Sequence, residues 1–124
     1  MYSAVVTWYV KPGCLIEAEA ALTKLADAVF QSEQDTWGYL VHSGAAGSVP
    51  PSTPDTIVFV EIYKDQAAFL AHVNGPAFQG FLQQYGDLFV SAPGAKGPFF
   101  LVQNMSRIQG FVRPSAAEPT DAQS

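Results

Sequence analysis

Cysteine, histidine and charge are all scarce in this sequence. A single cysteine, Cys14, excludes an intramolecular disulfide and any multi-cysteine metal site. Two histidines, His42 and His72, are too few for a histidine-rich zinc site. Charged residues make up 14% of the chain, where soluble domains average about a quarter. The six lysines and arginines are scattered from Lys11 to Arg113 and the formal net charge is −5, which speaks against a phosphate-tracking nucleic-acid surface and an anionic-membrane patch. No apolar run approaches the ~18 residues a membrane span needs. The N-terminal MYSAVVTWYV has no basic region and is too short and mixed for a signal peptide. The expectation is a cytoplasmic protein with neither nucleic acid nor membrane as partner.

What the chain has in abundance is apolar surface: 48% of its 124 residues, enough for one domain with a single core. With so little charge to cover it, part of that surface is expected to meet another subunit. Residues 3–10 alternate as a strand, with Ala4, Val6, Trp8 and Val10 on one face and Val5, Thr7 and Tyr9 on the other. After the Lys11-Pro12-Gly13 turn, residues 14–34 read as a helix whose buried stripe is Ala18, Leu22, Leu25 and Val29. A second strand is expected over 36–43, with Trp37 as a packing anchor, and an irregular Gly/Pro/Ser loop over 44–54.

Residues 55–81 then read as a strand feeding directly into a helix. Ile57, Val58, Phe59, Val60, Ile62 and Tyr63 suit a buried strand. Asp65 is the expected helix N-cap, with Phe69, Leu70 and Val73 on one side of the helix and His72 beside them. Asn74-Gly75 should break this helix and Pro76 restart it, giving a second face with Phe78, Phe81 and Leu82. A last strand is expected over 99–112 with a possible bulge at Gly110. The domain is placed at 1–112 and a disordered tail at 113–124.

The order β-α-β-β-α-β is the ferredoxin-like split βαβ arrangement, an α+β fold with both helical segments on one face of the sheet. Val5, Tyr9, Val58, Val60 and Ile62 make the other face apolar as well. A second copy of the chain is the economical cover for it, giving a homodimer.

Glu61, Tyr63 and His72 are the polar groups on an otherwise apolar strand-helix unit. A buried charge at Glu61 costs free energy unless it is paired or protonated. Asn104 and Arg107 on the last strand have opposite parities, so only one of them can face a pocket. Cys14, a lone thiol without an obvious base, reads as inert.

Residues 3–90 resemble the antibiotic biosynthesis monooxygenase family of dimeric α+β barrels. The resemblance lies in VTWYVKPG at the start, GYLVH in the second strand, and an E-x-[WY]-x-D-x-x-A-x-x-x-H element, here Glu61, Tyr63, Asp65, Ala68 and His72. It implies a pocket between helices and sheet, and for several members the oxidation of phenols or quinols by O2 without metal or flavin. The haem-degrading branch fits poorly, since no histidine falls between Phe78 and Tyr85 and Tyr63 replaces that branch's tryptophan.

Cofactor-free oxygen chemistry needs an apolar pocket, a base and an oxyanion donor. His72 is the expected catalytic base and Tyr63 the expected donor. Trp8, Phe59, Glu61, Phe69, Phe78, Phe81 and His42 are the expected substrate contacts, with no metal and no cofactor. The expected function is a monooxygenase acting on a small aromatic phenol or hydroquinone. A non-catalytic small-molecule-binding barrel and a cofactor-free isomerase are the alternatives.

Overall fold

Alternation decides the first element. In β1 (Tyr2–Val10), Ala4, Val6, Trp8 and Val10 are buried while Val5, Thr7 and Tyr9 are half-covered. The computed structural model describes residues 1–92, 94 and 100–113. Gly13, at φ 85°, turns the chain into α1 (Leu15–Ser32), which buries Ala18, Ala21, Leu22, Leu25 and Val29. Each fully buried leucine or valine on that stripe contributes roughly 1.5–3 kcal/mol.

β2 (Thr36–His42) and β3 (Thr56–Tyr63) follow as an antiparallel pair, joined by the irregular segment 43–55. β3 buries Ile57, Phe59, Glu61 and Tyr63 and leaves Val58, Val60 and Ile62 half-covered. Asp65 caps α2 (Gln66–Val73) by accepting the Ala68 amide at 2.9 Å. α3 (Pro76–Tyr85) opens on Pro76 as expected. Gly75 between the two helices is required by space: a Cβ there would lie 2.7 Å from the Ala71 carbonyl oxygen.

A 3-10 turn (Gly86–Leu88) leads into the two-residue β4 (Phe89–Val90), and β5 (Phe100–Ser106) ends the sheet. The strand order is β2-β3-β1, with the far edge of β1 shared by β5 over Tyr2–Trp8 and by β4 at Tyr9–Val10. All pairings are antiparallel. This is the ferredoxin-like α+β arrangement, with α1, α2 and α3 against one face of the sheet.

Four expectations need correcting. The last strand stops at Ser106 rather than at 112, because β1 offers no partner beyond Tyr2. β4 was not foreseen; it forms where Lys11 N–H reaches the Leu88 carbonyl at 2.9 Å and Phe89 packs 4.9 Å from Trp8. Trp37 is 56% exposed, because the strand pairing is irregular between Thr36 and Gly38. Leu70 also faces outward, since Ala68 and His72 take the buried side of α2. The expected tail over 114–124 and the start of the last strand at Phe99 lie outside the described residues.

Candidate functional site

The sheet register assembles the site. Tyr39, Glu61, Ala4 and Asn104 form one cross-strand row over β2, β3, β1 and β5, so their side chains share a face. Ala4 is the small member of that row. Beside it, between sheet and helices, lies a cavity of about 200 Å³. Its floor is Val6, Trp8 and Glu61; its roof is Phe69, His72 and Val73 of α2 with Phe78 of α3. Phe100, Val102 and Asn104 of β5 form the side, and Val102 and Asn104 are exposed there in the single chain.

One end of the cavity is polar. His72 is 2% exposed and Glu61 3% exposed. His72 Nδ1 lies 2.7 Å from Glu33 Oε1. A carboxylate only accepts, so Nδ1 carries the proton and neutral His72 leaves Nε2 to accept the Tyr39 hydroxyl at 3.3 Å. The Tyr63 hydroxyl donates to Glu61 Oε1 at 2.5 Å, and Thr36 Oγ1 donates to Glu33 Oε1 at 3.0 Å.

These surroundings move the titrations. Burial pushes the Glu61 carboxyl up to about 7; the Tyr63 hydrogen bond opposes the rise and the charge of Glu33 adds to it. Burial lowers His72 from its ordinary value near 6.5, against Glu33, whose charge and hydrogen bond favour the imidazolium. Burial likewise raises both tyrosines, with Glu61 and Glu33 adding to the effect, so Tyr39 and Tyr63 stay protonated donors. The ordinary order of a carboxyl and an imidazole is thus inverted in one cavity.

Of the residues expected to form the site, His72, Glu61, Trp8, Phe69 and Phe78 line the cavity. Phe59 and Phe81 pack on Trp8 as core, with centroids at 6.2 and 5.6 Å, and are not in the lining. Tyr63 is fully buried and does not line the cavity; it commits its hydroxyl to Glu61 and packs its ring 5.7 Å from that of His72, so it acts on the site from behind. His42 is exposed on β2, bonded through Nδ1 to the Val58 carbonyl at 3.1 Å, outside the cavity. Asn104 is the β5 polar residue that faces in, and Arg107 instead donates to Ser3 Oγ at 3.3 Å.

Sequence reasoning missed Glu33 and Tyr39. Glu33 carries one available signal: it is an acid at the C-terminal cap of α1, where the helix dipole disfavours negative charge, and the last turn supplies no base. Among the described residues no group of three or more histidine, cysteine, aspartate or glutamate side chains could hold a metal ion, and no helix is long and apolar enough to cross a membrane.

The fold and cavity define a ferredoxin-like α+β protein with an apolar pocket between helices and sheet. The family model for antibiotic biosynthesis monooxygenases matches residues 1–84, and the chain belongs to that family. No curated protein sequence matches it. Among solved structures, it resembles protein SO0527 from Shewanella oneidensis at 25% identity and TM-score 0.65, over 84% of this chain and 87% of that one. Rv0793 from Mycobacterium tuberculosis is similar at 16% identity and TM-score 0.66, over 88% and 96%. PA3566 from Pseudomonas aeruginosa matches at 17% identity and TM-score 0.65, over 87% and 94%. Family membership supports a monooxygenase-type function in general terms.

Proposed function

We propose that the protein is a cofactor-independent monooxygenase that oxidises a small aromatic phenol or hydroquinone with O2. One oxygen atom enters the substrate as a carbonyl and the other leaves as water, the electrons coming from the ionised substrate itself. The observation that carries this reading is the inverted pair, a buried neutral imidazole at His72 and a carboxyl at Glu61 pushed up to about 7, at the polar end of one aromatic cavity. A pair of groups whose environments reorder their titrations marks an acid and a base. His72 takes the hydroxyl proton. Protonated Glu61, held by Tyr63, donates to the resulting oxyanion. Trp8, Phe69 and Phe78 supply the apolar walls. An apolar cavity of ~150 Å³ takes a benzene ring, so about 200 Å³ suits one substituted ring or a compact pair.

An oxygen electrode tests this with hydroquinones of one and two rings. Protein-dependent uptake that His72→Ala abolishes supports it; no uptake with any of them counts against it. Thermal stabilisation by the same compounds without product favours a binding barrel. Turnover that survives anaerobic conditions favours an isomerase.

The uncovered face of the sheet supports a homodimer. Val5, Val58, Val60 and Ile62 lie between Leu40, 53% exposed, and Leu101, 50% exposed, with no helix over them. A second copy stacked there by two-fold symmetry buries both patches.

A further inference from the structure

We propose that Glu33 is the proton port of the cavity: it carries protons between His72 and solvent through a groove on the far side of the imidazole. The proposal rests on the reading of the cavity as a place where a hydroxyl is ionised.

His72 is a wall shared by two spaces. On one side is the aromatic cavity. On the other is a surface groove of about 450 Å³, bordered by Glu33, Asp35, Thr36, Asp65 and Ala71. The ring spans the boundary, with Nε2 facing Tyr39 and Nδ1 on Glu33 Oε1 at 2.7 Å. The side chain of His72 is 2% exposed and that of Glu33 17%. Glu33 is therefore where this hydrogen-bonded chain meets water. Thr36 Oγ1, on the same oxygen at 3.0 Å, fixes the carboxylate in place. The position is unfavourable for a helix, because an acid closes the negative pole of α1 with no base in the last turn. Such a local conflict is expected where function requires it.

The titratable groups facing His72 are Glu33 at the end of α1, Tyr39 of β2, and Glu61 and Tyr63 of β3. α3 contributes Phe78 and β5 the non-titrating Asn104. Glu61 and Tyr63 are buried and bonded to each other. Tyr39 holds its proton, so it cannot relay one at neutral pH by ionising. Glu33 is the remaining acceptor.

The transfers balance. The Tyr39 hydroxyl turns off Nε2 and frees its lone pair; the ligand O–H bond breaks as Nε2–H forms; Nδ1–H breaks as a proton joins Glu33 Oε1; Glu33 then gives that proton to water in the groove. The same route in reverse returns a proton to the oxygen that leaves as water, and restores the starting tautomer. Glu33 acts through His72 and touches no ligand, so it is a positioning residue.

The test needs no substrate. The ring resonances of His72 are followed by NMR through a pH titration, with sheet amides as the fold control. In the wild type, protonation is fast and His72 gives one population-averaged signal. Glu33→Gln keeps an acceptor for Nδ1 and Thr36 but carries no proton, and slows the exchange by roughly a hundredfold, the scale of a lost acid-base group, splitting or broadening the signal. In Glu33→Ala, formate entering by the groove restores averaging in proportion to its concentration, which a purely structural role would not do. Slow exchange in the wild type, or averaging that survives in Glu33→Gln, overturns the proposal. If His72 behaves as expected and no compound supports oxygen uptake, the oxygenase reading fails and the proton port stands.

Discussion

Tyr63 donates its hydroxyl to Glu61 Oε1 across 2.5 Å, from two positions along the same face of β3. The bond ties a fully buried phenol to a cavity-lining carboxyl and opposes the rise that burial imposes on it. Removing it in Tyr63→Phe takes away the one influence that lowers Glu61, and the Glu61 midpoint moves above about 7. Stability falls by about 1–2 kcal/mol for the lost buried hydrogen bond. Carboxyl carbon NMR checks the shift and urea unfolding the stability.

Glu61 also makes stability fall as pH rises. Its folded value, about 7, lies above its ordinary 4.5. The folded state therefore holds the extra proton between those values. That stabilisation is complete below pH 4.5 and is lost as pH rises through about 7. At ~1.4 kcal/mol per pKa unit the loss is at most about 3–4 kcal/mol. Glu61→Gln keeps an acceptor for Tyr63 and removes the titration, so it gains on the wild type from pH 5 to pH 8 in urea unfolding. His72 contributes the opposite slope: its folded value is lowered, so the folded state loses stability as pH falls below 6.5. Equal pH slopes in wild type and Glu61→Gln would contradict the assignment.

Trp8 is the centre of the core as well as a wall of the cavity. Its ring lies 4.9 Å from Phe89, 5.0 Å from Phe100 and 5.6 Å from Phe81. Trp8→Ala costs about 3–5 kcal/mol. Val102→Phe, at the cavity edge, fills existing space; it costs at most about 1–3 kcal/mol and abolishes binding of aromatic ligands. Thermal melts with and without ligand separate the two outcomes.

The bare sheet face gives a prediction about assembly. Val60→Lys places a charge in the middle of the apolar row Leu40, Val60 and Val5. Sedimentation should show a dimer for the wild type and a monomer for the variant, with the cavity residues undisturbed. A wild-type monomer at micromolar concentration would remove the second copy from the picture.

Much of this was legible because it is local. The period of two in Ala4, Val6, Trp8 and Val10, the stripe Ala18 to Val29, the Asp65 cap and the Pro76 restart each need only neighbouring residues. Glu33 was hidden because it meets His72 across 39 positions, and nothing near either residue announces the other. The role of each ring was hidden for a similar reason: parity places Phe59 and Trp8 on one face, but only the packed helices decide that Trp8 borders the cavity and Phe59 does not. Tyr63 was visible as a buried phenol; its commitment to Glu61 depends on side-chain reach, which the strand pattern does not encode. The shortness of β5 depends on where β1 runs out, again a pairing between distant segments.

His72 and Glu61 stand in inverted order inside one cavity. The most direct measurement is a joint titration of the His72 ring nitrogens and the Glu61 carboxyl carbon by NMR in the ligand-free protein. The result expected is Glu61 titrating near 7 and His72 below 6.5. Glu61 titrating near 4.5 with His72 above 6.5 would contradict it.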